Sequence, residues 1–157
     1  MQNMRRKVLK AGGGVALYAL LVAAGWLKAG DAAAQSWNKS AFEAKTLDEA
    51  LKVFGGGSSA QSKDIVFVST PDIAENGAVV PFSVESRLPK TESIALFIEK
   101  NPNVLAADFQ IPQGTDPWIN TRVKMAQTSR VIALVKADGK YYYNAKEVKV
   151  TLGGCGG

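Results

Sequence analysis

The chain has 157 residues, 46% of them apolar and 21% charged, which suits one globular domain and is too short for two ordinary domains with a tail. Residues 1–34 hold five of the nineteen Lys/Arg and one of the fourteen Asp/Glu, so the rest of the chain has a net charge of +1 and gives little support to nucleic-acid binding. With no histidine and one cysteine, the sequence excludes Ser-His and Cys-His nucleophile pairs, imidazole-ligated metals and Cys-x-x-Cys sites.

The first 34 residues have the pattern of an export signal. Four positive charges, among them Arg5 and Arg6, precede an apolar run over residues 11–27, and small residues up to Ala34 offer a cleavage site. The Arg5-Arg6 pair resembles a twin-arginine signal, although Val8 stands where that pattern prefers Phe. We therefore predict a cleaved signal peptide over 1–34, export to the periplasm and a mature form free of the membrane. A retained anchor is the alternative, since about 17 apolar residues is the short limit for a span.

Residues 35–57 are predicted to form an N-terminal amphipathic helix and a Gly/Ser linker. Apolar residues from Trp37 to Phe54 recur at steps of three and four, which is the helical period. Thr46 and Glu49 fit a capping box, which would start a second helical segment at Leu47. The glycines and serines of residues 55–59 would end the helix.

Residues 58–152 are predicted to form an all-β, immunoglobulin-like antiparallel β-sandwich. Short β-prone runs alternate with turn residues at about the spacing typical of such sandwiches; the runs are 65–69, 79–85, 93–100, 104–111, 119–126, 130–137, 140–145 and 147–152. Asp138-Gly139 lies between two of them and predicts a tight hairpin. A single cysteine precludes an inter-sheet disulfide, so apolar side chains must hold the sheets together, with these aromatic residues expected in the core: Phe67, Phe82, Phe97, Phe109, Trp118 and some of Tyr141, Tyr142 and Tyr143.

The last five residues place the only cysteine, Cys155, among four glycines: Gly153, Gly154, Gly156 and Gly157. Ordering such a tail costs about 1–2 kcal/mol of backbone entropy per residue and buries no side chain in return, so we predict a flexible arm over 153–157. From Leu152 to Cys155 this arm can extend ~10 Å. It is thin enough to enter a narrow channel of another protein.

Nothing in the tail activates the thiol of Cys155. An unperturbed cysteine thiol has a pKa near 8.5, and the tail supplies no imidazole and no helix N-terminus. We therefore interpret the protein as a non-catalytic carrier that uses no metal or cofactor, with the reactive groups supplied by partner enzymes.

Three alternatives remain open at this point. An exported immunoglobulin-like interaction module could dimerise through a disulfide between tail cysteines. A ubiquitin-like sulfur carrier could use its terminal Gly-Gly carboxylate, although that chemistry requires ATP. A thiol-dependent enzyme would need a base that the tail lacks.

Several segments resemble the SoxY family, the sulfur-carrier subunits of the Sox thiosulfate-oxidising system. The resemblance covers essentially all of the mature chain and includes the twin-arginine leader. The matching segments are Ile73-Ala74-Glu75-Asn76-Gly77, Glu99-Lys100-Asn101-Pro102-Asn103, Thr121-Arg122-Val123-Lys124-Met125-Ala126 and the C-terminal run from Glu147 through Gly153-Gly154-Cys155-Gly156-Gly157.

The resemblance implies that Cys155 is the covalent sulfur attachment point. It also implies a heterodimer with a SoxZ-like subunit, exported as a folded pair. A c-type cytochrome enzyme would conjugate thiosulfate to the cysteine, a hydrolase would release sulfate, and in some organisms a sulfane dehydrogenase would oxidise the remaining sulfur. The carrier would hold no cofactor and bind no nucleic acid.

Overall fold

Nine strands and two short helices are found in residues 38–151, the part of the chain that the computed structural model describes. The predicted signal peptide, with Arg5 and Arg6, and the predicted arm, with Cys155, lie outside these residues. The helices are α1 (Lys39–Glu43) and α2 (Leu47–Phe54), followed by a 3-10 turn at Gly56–Ser58. The strands are β1 (Ala60–Gln61), β2 (Ile65–Phe67), β3 (Ile73–Ala74), β4 (Val80–Ser86), β5 (Thr91–Ile98), β6 (Leu105–Gln110), β7 (Trp118–Val123), β8 (Ser129–Ala137) and β9 (Lys140–Val150).

The strands form two sheets, which confirms the predicted immunoglobulin-like sandwich. The larger sheet has the order β1-β9-β8-β5-β6, with β3 also paired to β9, and the smaller has the order β2-β4-β7. Most pairs are antiparallel, whereas β1 and β3 run parallel to β9. Among the described residues, no helix has the length and apolarity needed to cross a bilayer.

One short stretch of chain passes from the larger sheet to the smaller and back. β1 pairs with β9 at Tyr142 and Tyr143, β2 then pairs with β4, and β3 returns to β9 at Lys149 and Val150. In the gap between β1 and β3, the Asn144 side-chain amide donates to the carbonyl of Ile65 at 2.7 Å. The outer edge of β9 is therefore covered along much of its length, which leaves fewer backbone groups unpaired.

The main core lies between the sheets, where alternate residues of each strand point inward. Phe82 is fully buried there and contacts Phe67 edge to face, with ring centroids 5.8 Å apart. Phe109 packs against the same cluster. A second cluster lies between the helices and the outer face of the larger sheet, where buried Phe97 meets Phe54 edge to face. The predicted core roles of these phenylalanines are confirmed.

The prediction that Trp118 belongs to the core is wrong, because its side chain is 51% exposed. Trp118 pairs with Glu85 across β4 and β7, and residues paired in this way point to the same face of a sheet. Since the neighbouring Val84 is fully buried, Glu85 and Trp118 lie on the outer face. There the indole N–H donates to Ser83 Oγ at 3.1 Å.

The helical segment is divided, as the predicted second start indicates. The carbonyl of Ala44 accepts from the backbone of Val104, in the loop before β6, and Thr46 is extended. Thr46 Oγ1 accepts from the backbone of Glu49, whose carboxylate accepts from the backbone of Thr46, so the predicted capping box is confirmed.

The two strands predicted for residues 140–145 and 147–152 are one continuous strand, β9. The residues at the predicted break remain in register: Lys146 pairs with Val131 and Glu147 pairs with Arg130. The predicted hairpin is confirmed, since Asp138 and Gly139 both have positive φ and connect the paired residues at the ends of β8 and β9.

Asp108 on β6 is half-buried and has one carboxylate oxygen that is buried without a hydrogen-bond partner among the described residues. Burial raises the pKa of Asp108 above its usual 3.8, and the hydrogen bond from Gln110 only partly opposes this. The folded chain therefore holds this proton more tightly than the unfolded chain, and stability falls as pH rises from the usual value through the raised pKa.

We expect Asp108→Asn to stabilise the protein at neutral pH by less than about 1 kcal/mol, because the side chain is only partly buried. The difference from wild type should disappear below about pH 3, where Asp108 is protonated in both states. Urea unfolding at both pH values measures this. Asp116→Asn, in an exposed loop, is the matched control and should change little. A variant less stable than wild type at neutral pH would contradict the burial argument.

Candidate functional site

The structure describes the chain up to Thr151, so it shows the base of the predicted arm. We call Lys149, Val150 and Thr151 the arm root. The predicted attachment residue Cys155 and its flanking glycines follow the root after Leu152 and lie outside the described residues. The site is therefore built from the elements that position the root.

β3 holds one side of the arm root. Ile73 pairs with Lys149 and Ala74 pairs with Val150 in parallel register. The backbone N–H of Lys149 donates to the carbonyl of Asp72 at 2.9 Å, and that of Thr151 donates to the carbonyl of Ala74 at 3.1 Å. These bonds continue to the last described residue, so β9 does not fray before the arm begins.

Thr128, in the loop between β7 and β8, holds the other side. Its hydroxyl accepts from the backbone N–H of Val150 at 2.9 Å and lies 3.4 Å from the carbonyl of the same residue. The loop is in turn fixed by Asn101, whose side-chain amide donates to the carbonyl of Lys124 and accepts from the backbone of Ala126. The side chain of Thr128, which precedes the first residue of β8, therefore extends the β8–β9 pairing as far as Val150.

A close backbone approach at Gly77 joins the loop before β4 to the same region. The carbonyl of Gly77 accepts from the backbone of Met125 at 2.7 Å. A Cβ atom at position 77 would lie 2.6 Å from the carbonyl oxygen of Met125 and 2.9 Å from Val150 Cγ1. Both distances are too short for real contacts, so only glycine fits between the loop and the arm root.

The surface around the arm root is partly apolar and mixed in charge. Ile73 is 57% exposed and Val79 is 50% exposed. Lys146 is paired with Asp72 at 3.0 Å. Lys149 itself is exposed, at the root.

The chemistry available in this region is limited to hydroxyl, amide, lysine and carboxylate groups. Within residues 38–151, no three His, Cys, Asp or Glu side chains come together as a metal site would require. The arrangement can fix the end of a strand and orient the tail that follows it.

Three of the sequence segments that carried the family resemblance meet at this end of the sandwich, although they lie far apart in sequence. Residues 73–77 contain β3 and Gly77, residues 99–103 contain Asn101, and residues 121–126 contain Met125. The sequence predicted turns at Asn76-Gly77 and at Asn101 and a strand through Met125, but not that these residues meet around the arm root. Thr128 was not predicted at all, because no sequence pattern identifies a hydroxyl that hydrogen-bonds to the end of a strand distant in sequence.

A cavity of about 760 Å³ lies at the other end of β9, beside the hairpin that joins β8 to β9. Its walls include Leu88, Ile111 and Pro117, and the ion pair between Lys90 and Asp138 is at its rim. β9 crosses the sandwich from this end to the arm root over a length of about 33 Å. That distance exceeds the reach of an arm from the same chain, ~10 Å from Leu152 to Cys155.

Comparison with known proteins gives a consistent result. Residues 50–155 match the family described as "Sulfur oxidation protein SoxY". The sulfur carrier protein SoxY from Chlorobium limicola f thiosulfatophilum has a similar structure, with a TM-score of 0.59 and 35% sequence identity over 68% of this chain and 97% of that chain. The E23A superoxide reductase (neelaredoxin) from Ignicoccus hospitalis matches with a TM-score of 0.49 and 14% identity, over 64% of this chain and 87% of that chain. No curated protein matches the sequence.

We expect Gly77→Ala to destabilise the protein by about 1–3 kcal/mol, because the added methyl group must displace the backbone of Met125 and the side chain of Val150. Chemical denaturation measures the change. Gly57→Ala is the matched control: a Cβ atom there meets nothing within 4 Å, so that variant should be as stable as wild type or slightly more stable. Equal stability of the two variants would show that the approach at Gly77 is not tight.

Proposed function

This chain belongs to the SoxY family of sulfur oxidation proteins and has a sulfur-carrier role, and we propose that it performs this role through Cys155. In the proposed function the mature protein is periplasmic and holds thiosulfate-derived sulfur covalently on this cysteine. It presents the sulfur to partner enzymes. The protein is a non-catalytic subunit, paired with a SoxZ-like subunit and exported with it through the twin-arginine signal at Arg5 and Arg6.

The observation that best supports this proposal is the firm anchoring of the arm root beside a tail that contains the only thiol. β3 and Thr128 hydrogen-bond the last residues of β9. Cys155 follows Thr151 by four positions, and the residues nearest to it are glycines. A fixed root with a thin tail beyond it delivers a thiol to a recessed active site while the body of the carrier stays outside.

The chemistry proposed for Cys155 has two balanced steps. In the first, thiosulfate joins the thiol through a new S–S bond; two electrons pass to a c-type cytochrome enzyme, and the thiol proton is released. In the second, a hydrolase adds water to the terminal sulfone, which leaves as sulfate with two protons, and a persulfide anion remains on Cys155. A sulfane dehydrogenase, where the host has one, would oxidise that remaining sulfur.

The residues near the arm root support the division between carrier and enzyme. The nearest cation in sequence, Lys149, lies six positions before Cys155, and an unperturbed thiol is only a few per cent ionised at about pH 7. Each partner enzyme would therefore supply the cations or metal that make the sulfur reactive.

Intact mass spectrometry of mature protein from cells supplied with thiosulfate tests the proposal. We expect added masses of a thiosulfonate group or of one or more sulfur atoms, which reduction removes and which Cys155→Ser lacks. Unmodified thiol under these conditions would contradict the proposal. Almost complete disulfide dimer on non-reducing gels would instead favour the dimerising interaction module.

The same variant should keep its fold, since the glycines that flank Cys155 have no side chains to bury in a core. We expect Cys155→Ser to unfold within about 0.5 kcal/mol of wild type, as is usual for substitutions away from the core. It should also co-purify with the SoxZ-like subunit as wild type does. A large loss of stability would show that the cysteine packs against the sandwich.

A further inference from the structure

We propose that the partner enzymes dock on the exposed surface around the arm root. This surface consists of the side chains of Ile73 and Val79 and the backbone of Thr151. We call this surface the collar. The proposal rests on the proposed function of Cys155 and goes beyond it by naming where the enzymes touch the body of the carrier. The occupant is the mouth of an active-site channel, lined at its rim by apolar side chains.

The length of the tail requires such contact. Between Thr151 and Cys155 the chain spans at most about 14 Å when fully extended. An enzyme that acts on the thiol inside a recessed site must therefore bring the mouth of that site close to the arm root. Whatever surrounds the root then lies against the rim of the channel.

The collar includes two exposed aliphatic side chains. Ile73 and Val79 expose 57% and 50% of their surface, respectively. Ile73 is paired with Lys149 at the root, and Val79 follows two residues after Gly77, which closely approaches Val150. Ile73 is thus beside the arm root, and Val79 is two residues from the glycine that meets the root, so an enzyme docked there would bury exposed aliphatic surface.

The collar is also held rigidly before any partner arrives. The backbone N–H of Val79 donates to the carbonyl of Asn76, and β3 is bonded to β9 on either side of Ile73. Surfaces that are already ordered lose less entropy on binding, so a small apolar contact can contribute useful affinity. This suits a carrier that must bind and leave several enzymes in turn.

The charges near the collar favour apolar over electrostatic recognition. Lys124 and Lys149 are exposed and form no ion pair within residues 38–151, and the exposed Glu75 and Glu147 in the same region balance them. With little net charge, the collar offers weak long-range steering. Loading of Cys155 should therefore depend only weakly on salt concentration.

The test compares Ile73→Glu and Val79→Glu with wild type as substrates for the c-type cytochrome enzyme that loads thiosulfate. Mass spectrometry follows the loading of Cys155. We expect kcat/KM for the carrier to fall at least about tenfold in each variant, because a carboxylate would be buried against an apolar rim. Ile73→Val should stay within about threefold of wild type, since it keeps the apolar contact.

Val53→Glu is the matched control. Val53 is also a partly exposed aliphatic residue, at 42%, but it lies on α2 away from the root. It should load at the wild-type rate. Alkylation of Cys155 by iodoacetamide should be equally fast in all variants, which shows that the thiol itself is unchanged, and thermal unfolding checks the fold.

Equal loading of the Ile73→Glu, Val79→Glu and Val53→Glu variants, with wild type loaded normally, would overturn the collar and leave the proposed function intact. Failure of wild type to gain any adduct would instead refute the proposed function. Loss of co-purification of the Ile73→Glu variant with the SoxZ-like subunit would assign the surface to that subunit and also overturn the proposal.

Discussion

The fixed position of the end of β9 is the constraint on which the rest of the structure depends. An edge strand normally frays at its last residues, because its backbone groups lack partners on one side. Here the chain returns from the smaller sheet to form β3, which pairs with one side of β9. On the other side, Thr128, just before β8, supplies a hydroxyl that accepts from the backbone N–H of Val150. The end of β9 is hydrogen-bonded on both sides as a result, to Thr128 through Val150 and to the β3 segment through Lys149 and Thr151, so the described sandwich ends at a defined place and in a defined direction.

This anchoring limits the volume that the thiol of the following tail can reach. A glycine-rich segment on a mobile strand end would spread its thiol over a wide volume, whereas the same segment on a fixed root keeps the thiol within about 14 Å of one point. A carrier of the SoxY family needs no reactive groups of its own under this arrangement. In the proposed function, its contribution would be to hold the sulfur on Cys155 within reach of a surface that partner enzymes bind.

Local patterns in the sequence predicted much of the fold. Alternation placed most strands within a few residues, the Asp138-Gly139 pair determined the hairpin, and Thr46 with Glu49 determined the start of α2. Features that depend on distant partners were not predictable in this way. The exposure of Trp118 follows from its register opposite Glu85, and the continuity of β9 through Lys146 follows from its pairing with β8. At the candidate site, sequence indicated the cysteine and the glycines but not the contacts of Gly77 and Thr128, which only the folded chain brings to Val150.

The central claim is that order ends abruptly between the arm root and Cys155, and backbone ¹⁵N relaxation of the mature protein tests it directly. The account predicts order parameters near 0.85 through Val150 and Thr151, as in rigid backbone, and below about 0.6 from Gly153 to Gly157. Order parameters near 0.85 that continue through Cys155, in the free carrier and in its complex with the SoxZ-like subunit, would contradict it, because the thiol would then be fixed to its own sandwich and unable to enter another protein.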